Sequence, residues 1–152
     1  MRYLGLDFGS KTIGVSVSGE SGFVAVGVET LRREREENLK ANVHRIGDLI
    51  KEYDIGIIVL GFPKNMDGSL SPRCEKTLAF KERLERTFKK VRVDLQDERL
   101  TSVQAERAMT SAGVKSRRQK EVVDEQAAVI ILQTYLDKVR IKAENNREGE
   151  KL

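Results

Sequence analysis

Apolar positions follow two rhythms along this chain, and the switches between them mark out its elements. Residues 2–9 form an apolar run that carries one carboxylate, Asp7, and ends at Gly9 and Ser10. Residues 13–18 alternate apolar and small polar side chains, the period of a half-buried strand. Phe23 to Thr30 reads as a third strand, joined to the second by Gly19-Glu20-Ser21-Gly22, a turn-forming tetrad suited to an antiparallel connection. Residues 32–37 are a charge run, read as the solvated start of a helix in which Leu39, Val43, Ile46 and Ile50 recur at helical spacing. Ile55 to Leu60 is almost wholly apolar, as a strand covered on both faces should be, and Gly61-Phe62-Pro63 ends it.

Residues 63–71 are polar and turn-rich, with Asp67-Gly68 a strong turn pair. Ser71-Pro72 predicts an N-cap followed by proline at the first helical position. The helix it opens spans 72–89, with Leu78, Phe80, Leu84 and Phe88 apolar. Val91 to Leu95 alternates as a strand, and Thr101-Ser102-Val103-Gln104 predicts a helix start that Gly113 closes. The last helix runs from about Val122 to Val139, and the polar tail is expected to lack fixed structure. This is an α/β order of three strands, helix, strand, helix, strand, helices. Short crossovers force the later strands parallel.

Composition narrows the class. At 152 residues the chain suits one domain over 1–139, followed by the tail at 140–152. No tract approaches the roughly 18 apolar residues of a membrane span, and the first residues lack the order of a signal peptide. A single cysteine, Cys74, offers no internal disulfide, which points to a reducing cytoplasm. The net charge of +4 says little about nucleic acid, because where the charges sit matters more.

Three carboxylates carry the candidate chemistry. Asp7 is anomalous, since strands disfavour Asp and a charge in an apolar segment is costly unless it is paired or metal-bound. Glu98 lies just past the last strand, so both acids meet at one sheet edge if the first and last strands are adjacent and parallel. Asp124 opens the last helix on the face of Ala128, Ile131 and Tyr135. Three converging carboxylates cannot all stay ionised without a cation between them, and an oxygen-only set suits Mg²⁺ or Mn²⁺ better than zinc.

Candidate nucleic-acid contacts are Lys11, Lys64 and Arg73 on predicted loops, Arg99, and the basic block of Lys115, Arg117, Arg118 and Lys120. Aromatic residues are only 5% of the chain, which disfavours base stacking as the main grip. His44 and Cys74 read as a helix-surface residue and a first-turn thiol, neither with a catalytic partner.

Four blocks then resemble one family: residues 7–15 (Asp-Phe-Gly-Ser-Lys-Thr-Ile-Gly-Val), 61–68 (Gly-Phe-Pro-Lys-Asn-Met-Asp-Gly), 97–102 (Asp-Glu-Arg-Leu-Thr-Ser) and 123–132 (Val-Asp-Glu-Gln-Ala-Ala-Val-Ile-Ile-Leu). Together they look like the conserved blocks of the YqgF/RuvX family, over residues 1 to about 138. The resemblance implies a ribonuclease-H-like fold: a mixed five-stranded sheet, strands 1 to 3 antiparallel and strands 4 and 5 parallel, flanked by helices. It implies a metal-dependent nuclease that processes the 5′ end of pre-16S ribosomal RNA, or alternatively resolves Holliday junctions. Its acidic triad carries over onto Asp7, Glu98 and Asp124; ribonuclease-H-like nucleases often hold a fourth carboxylate, for which Asp97, Glu125 and Asp67 are the candidates, each also suited to an ordinary turn or first-turn position. The expected partner is nucleic acid, RNA first and a DNA junction second, bound by a monomer or a homodimer. Two other classes stand beside it. One is a non-catalytic nucleic-acid-binding module. The other is suggested by Asp7 to Thr12, which also resemble the first phosphate loop of actin-like ATPases and sugar kinases, enzymes that close two such domains around ATP.

Overall fold

A computed structural model of the chain describes residues 1–65, 67–98 and 116–150, with side chains in the last helix described for 125–146. The elements are β1 (Arg2–Phe8), β2 (Thr12–Ser18), β3 (Ala25–Arg32), α1 (Lys40–Glu52), β4 (Ile55–Phe62), α2 (Pro72–Thr87), β5 (Arg92–Asp97) and α3 (Ser116–Glu150). The five strands form one sheet in the order β3-β2-β1-β4-β5. β1 to β3 are antiparallel neighbours, while β4 is parallel to both β1 and β5. The mixed sheet expected of the sequence is therefore present. One expectation is corrected: β1 and β5 are parallel but not adjacent, because β4 lies between them.

The alternation within β1 divides the core. Leu4, Leu6 and Phe8 face the side covered by α1 and α2, packing with Val43, Ile46, Leu49, Phe80 and Leu84. Tyr3 packs on the opposite side with Ile57, Val59, Ile131, Leu132 and Leu136, beneath α3. Gly5 and Asp7 share that side by strand parity. At Gly5 the frame of α3 passes close to the sheet. A Cβ there would stand 2.3 Å from Ser16 Oγ and 2.7 Å from Leu132 Cβ. The Ser16 hydroxyl donates to the Ala128 carbonyl at 2.8 Å, which bonds the helix to the sheet.

Several local readings change. The charge run does not start a helix: Arg32 ends β3, and α1 begins at Lys40. The Arg33 guanidinium donates to the Glu36 carbonyl at 2.9 Å and to the Gly9 carbonyl at 2.6 Å. These bonds fold the segment against the β1–β2 turn in place of helical ones. β3 starts and ends two residues later than predicted, and β4 continues through Gly61 and Phe62. Leu78 is exposed, while Cys74 and Thr77 join Phe80 and Leu84 on the buried face of α2. The Ser71 hydroxyl bonds the Pro63 carbonyl and makes no capping bond.

Residues 140–150 are helical, where their polarity suggested no fixed structure. Straight-chain Lys, Arg and Glu have high helix propensity and extend α3, with the side chains of residues 141–146 exposed. The predicted helix over 101–113 lies outside the described residues. No helix among the described residues is long and apolar enough to cross a membrane.

A carboxylate pair at the end of strand β1

Asp7 lies at the penultimate position of β1, opposite Gly14 of β2, on the face that α3 covers. Glu98 follows β5, and its amide donates to the Phe62 carbonyl at 3.2 Å, carrying the β4–β5 alignment one residue further. Its side chain returns over the intervening strand. A Cβ at Gly61 would lie 2.8 Å from Glu98 Oε2 and 2.6 Å from Ile131 Cδ1. Glycine at 61 thus leaves the space through which Glu98 reaches across β4, and the two carboxyls hydrogen-bond.

Electrostatics follow from that contact. Burial pushes the Glu98 carboxyl up to about 9, aided by the Asp7 charge and hydrogen bond and by Asp97, while Arg73 opposes the rise. At neutral pH Glu98 therefore holds a proton and donates it to the Asp7 carboxylate. An acid raised in this way stabilises the fold fully below its ordinary value of 4.5, and the contribution is lost as pH climbs through about 9.

The backbone beyond Asp7 is held from the other face of the sheet. Arg73 donates to the Phe8 carbonyl at 3.3 Å, and Arg33 takes the Gly9 carbonyl. Both guanidinium groups lie 5.1 Å from the centre of the Phe8 ring, which stacks on Phe80 at 4.2 Å. Glu36 pairs with Arg73 and, at 2.9 Å, with Lys76. Two cations and an aromatic stack thereby fix the turn that presents Asp7.

The other predicted residues fall as follows. Asp124 is in α3, one turn before Ala128 on the backbone, and its side chain is outside the described residues. Among the described residues, no three His, Cys, Asp or Glu side chains gather as metal ligands. Lys11 is exposed in the β1–β2 turn, and the Lys64 ammonium lies 5.8 Å from the centre of the Phe62 ring. Arg73, expected on a loop, sits in the first turn of α2 and is engaged as described. Arg99 and Lys115 lie outside the described residues, as do the side chains of Arg117, Arg118 and Lys120. Of the fourth-acid candidates, Asp97 closes β5 beside Glu98, and Asp67 accepts from the Ser69 amide at 2.9 Å within its turn. Glu125 lies over Gly27 of β3, two strands from Asp7.

Sequence reasoning missed Gly61, Arg33 and Glu36. A glycine inside an apolar strand was the available signal for the first, since it marks a close approach. Nothing in the charge run singled out the other two.

A family model described as RuvX, Holliday junction resolvase, matches residues 1–138. A protein of Bacillus licheniformis named "Putative pre-16S rRNA nuclease" is 50% identical over 137 residues, covering 90% of this chain and 97% of that one. A protein of the same name from Agathobacter rectalis is 50% identical over 137 residues, covering 90% and 95%. Among solved structures, Thermus thermophilus RuvC bound to a Holliday junction aligns over 91% of this chain and 96% of its own, with TM-score 0.52 and 16% identity. The fowlpox virus Holliday junction resolvase aligns over 91% and 99%, with TM-score 0.52 and 15% identity. At such identities the structural likeness speaks for the fold alone.

Proposed function

The chain belongs to the RuvX family, and from that premise we propose that it is a metal-dependent nuclease acting on the 5′ end of pre-16S ribosomal RNA. The observation that carries the reading is the hydrogen-bonded pair of Asp7 and Glu98 at the sheet edge, with Asp124 one turn along α3 from the helix–sheet contact at Ala128. Carboxyl groups that share a proton are oxygen donors in the place where a hard cation fits, since the cation relieves the same repulsion as the proton. Asp7, Glu98 and Asp124 are the proposed ligands for Mg²⁺ or Mn²⁺. When bound, such a cation offsets charge on the scissile phosphate and eases deprotonation of the attacking water. Asp7 is the anionic member of the pair at neutral pH, and Glu98 yields its proton on loading. The clamp of Arg33 and Arg73 holds the backbone that aims Asp7.

The proton gives a measurable signature. Each Mg²⁺ bound at pH 7 is expected to release about one proton, and apparent affinity should rise by up to about tenfold per pH unit below the Glu98 value. Calorimetric titration in buffers of different ionisation enthalpy reads the proton count. Binding without proton release would remove Glu98 from the ligand set.

Function is tested by cleavage of a labelled pre-16S 5′ leader and of a labelled four-way DNA junction, each with Mg²⁺, Mn²⁺ or EDTA. Metal-dependent cutting of the RNA supports the proposal. Cutting of the junction alone favours resolvase activity, which the family description also supports. Binding without cutting of either would leave a non-catalytic module. The remaining cationic candidates, Lys11, Lys64, Arg99, Lys115, Arg117, Arg118 and Lys120, are proposed to hold phosphates around the site.

A further inference from the structure

At about 100° per residue, Arg73, Lys76 and Arg83 of α2 fall within about 80° of one another, Arg86 continues the strip at its border with Glu75 and Glu82, and Lys81 and Glu85 lie on the far side. The strip forms one wall of a groove of about 380 Å³, opposite Glu36, Glu37 and Leu39. Among the described residues, no carboxylate pairs with Arg83 or Arg86. At the head of the strip the Glu36 carboxylate is held by Arg73 and Lys76 together. An oxyanion between two cations is also how a phosphate oxygen is bound.

Direction comes from Arg73. It touches the carbonyl of the residue after Asp7, and its charge acts on Glu98. The strip therefore begins on the sheet face opposite the carboxylate pair, at the end of β1 that carries Asp7, and runs for about 15 Å between residues 76 and 86.

We propose that the α2 strip carries the phosphate backbone of a nucleic-acid strand leaving the carboxylate pair, and that Glu36 occupies the position of one phosphate until the strand binds. The proposal rests on the nuclease reading for the identity of the anion. Its start at the end of β1 that carries Asp7 favours nucleic acid over an acidic protein segment.

The test is fluorescence anisotropy of the labelled RNA leader and the labelled junction in EDTA, over about 50 to 200 mM salt. Arg83→Ala with Arg86→Ala is expected to weaken binding about tenfold at the low-salt end and to lower the slope of log affinity against log salt by about 2. Glu36→Gln should tighten binding. Lys81→Ala removes a charge from the far side, where Lys81 pairs with Glu85 at 3.0 Å, and should match the parent.

Unchanged affinity and slope in the double variant would overturn the proposal, as would an equal loss with Lys81→Ala or weaker binding with Glu36→Gln. Binding of labelled polyglutamate that the Arg83 and Arg86 double variant abolishes, with no competition by either nucleic acid, would assign the strip to an acidic protein and also overturn the proposal. The two readings fail separately. Cleavage surviving Asp7→Asn would remove the carboxylate assignment while leaving the binding result intact. Parent-like binding by the double variant, with cleavage still lost in Asp7→Asn, would remove the strip alone.

Discussion

The Asp7→Asn protein is expected to fold like its parent and to lose metal-dependent cleavage by about 10³-fold or more, the scale set by removing one group that stabilises transition-state charge. Asn is close to Asp in size and still offers polar atoms to Glu98. What disappears is the negative charge, and with it an anionic ligand. The same charge helps to raise Glu98, so its removal should bring the Glu98 carboxyl down toward its ordinary range. Metal-free protein reports this without any activity. In EDTA the parent should lose stability as pH rises from 4.5 toward 9, and Asp7→Asn should lose less over that window. Thermal unfolding at several pH values and a cleavage assay measure the two effects independently. Parent-like cleavage by the variant would sink the assignment of Asp7, whatever the unfolding curves show.

A methyl group at Gly5 is expected to cost about 3 to 5 kcal/mol, combining overpacking with a broken buried hydrogen bond. Its nearest neighbours would be Ser16 Oγ at 2.3 Å, Leu132 Cβ at 2.7 Å and the Ala128 carbonyl oxygen at 3.0 Å. Rotating Ser16 away forfeits its bond to Ala128. The other two contacts belong to the frame of α3, so the helix itself must lift. Against a total stability of about 5–15 kcal/mol, the loss is large. Intrinsic strand propensity would give the opposite sign, since Ala loses less backbone entropy than Gly. Denaturant unfolding of Gly5→Ala, alone and with Ser16→Ala, which removes the nearest clashing atom, separates the two. Partial recovery in the double variant is the mark of a steric conflict, and a stabilised Gly5→Ala would refute it.

Most of the sheet was legible because its signals are local. Alternation in β2, the apolar run of β4 and the turn before β3 each depend on a few neighbouring residues. Antiparallel pairing of the early strands and parallel pairing of the later ones were legible from the Gly19–Gly22 turn and the short crossovers, and the family blocks implied the same mixed sheet. Strand order was not legible from the acids. Asp7 and Glu98 do meet, yet not because their strands are neighbours: a glycine on the strand between them allows one side chain to cross. The charge run failed as a helix signal for a related reason. Arg33 satisfies carbonyls of Glu36 and Gly9, and the second of these is remote in sequence. For α2, the apolar set was one position out of phase at Leu78, because Cys74 and Thr77 fill the face between the strands and Phe80.

The placement of β1 at the centre of the sheet also sets an order of assembly. Its antiparallel partner β2 is reached through a short turn, whereas its parallel partner β4 brings Leu4 to Ile58, and the Ser16–Ala128 bond closes a separation of 112 residues. Loop-closure entropy grows with such separations, so the β1–β2–β3 meander is expected to form first and α3 to dock last. Pulsed hydrogen exchange during refolding should protect β2 amides before those of β4, and the reverse order would contradict this route. A growing chain would then build its meander early and bring Glu98 to Asp7 only after β4 and β5 had joined the sheet. Hydrolytic capacity would thus be withheld from partly made copies by topology alone.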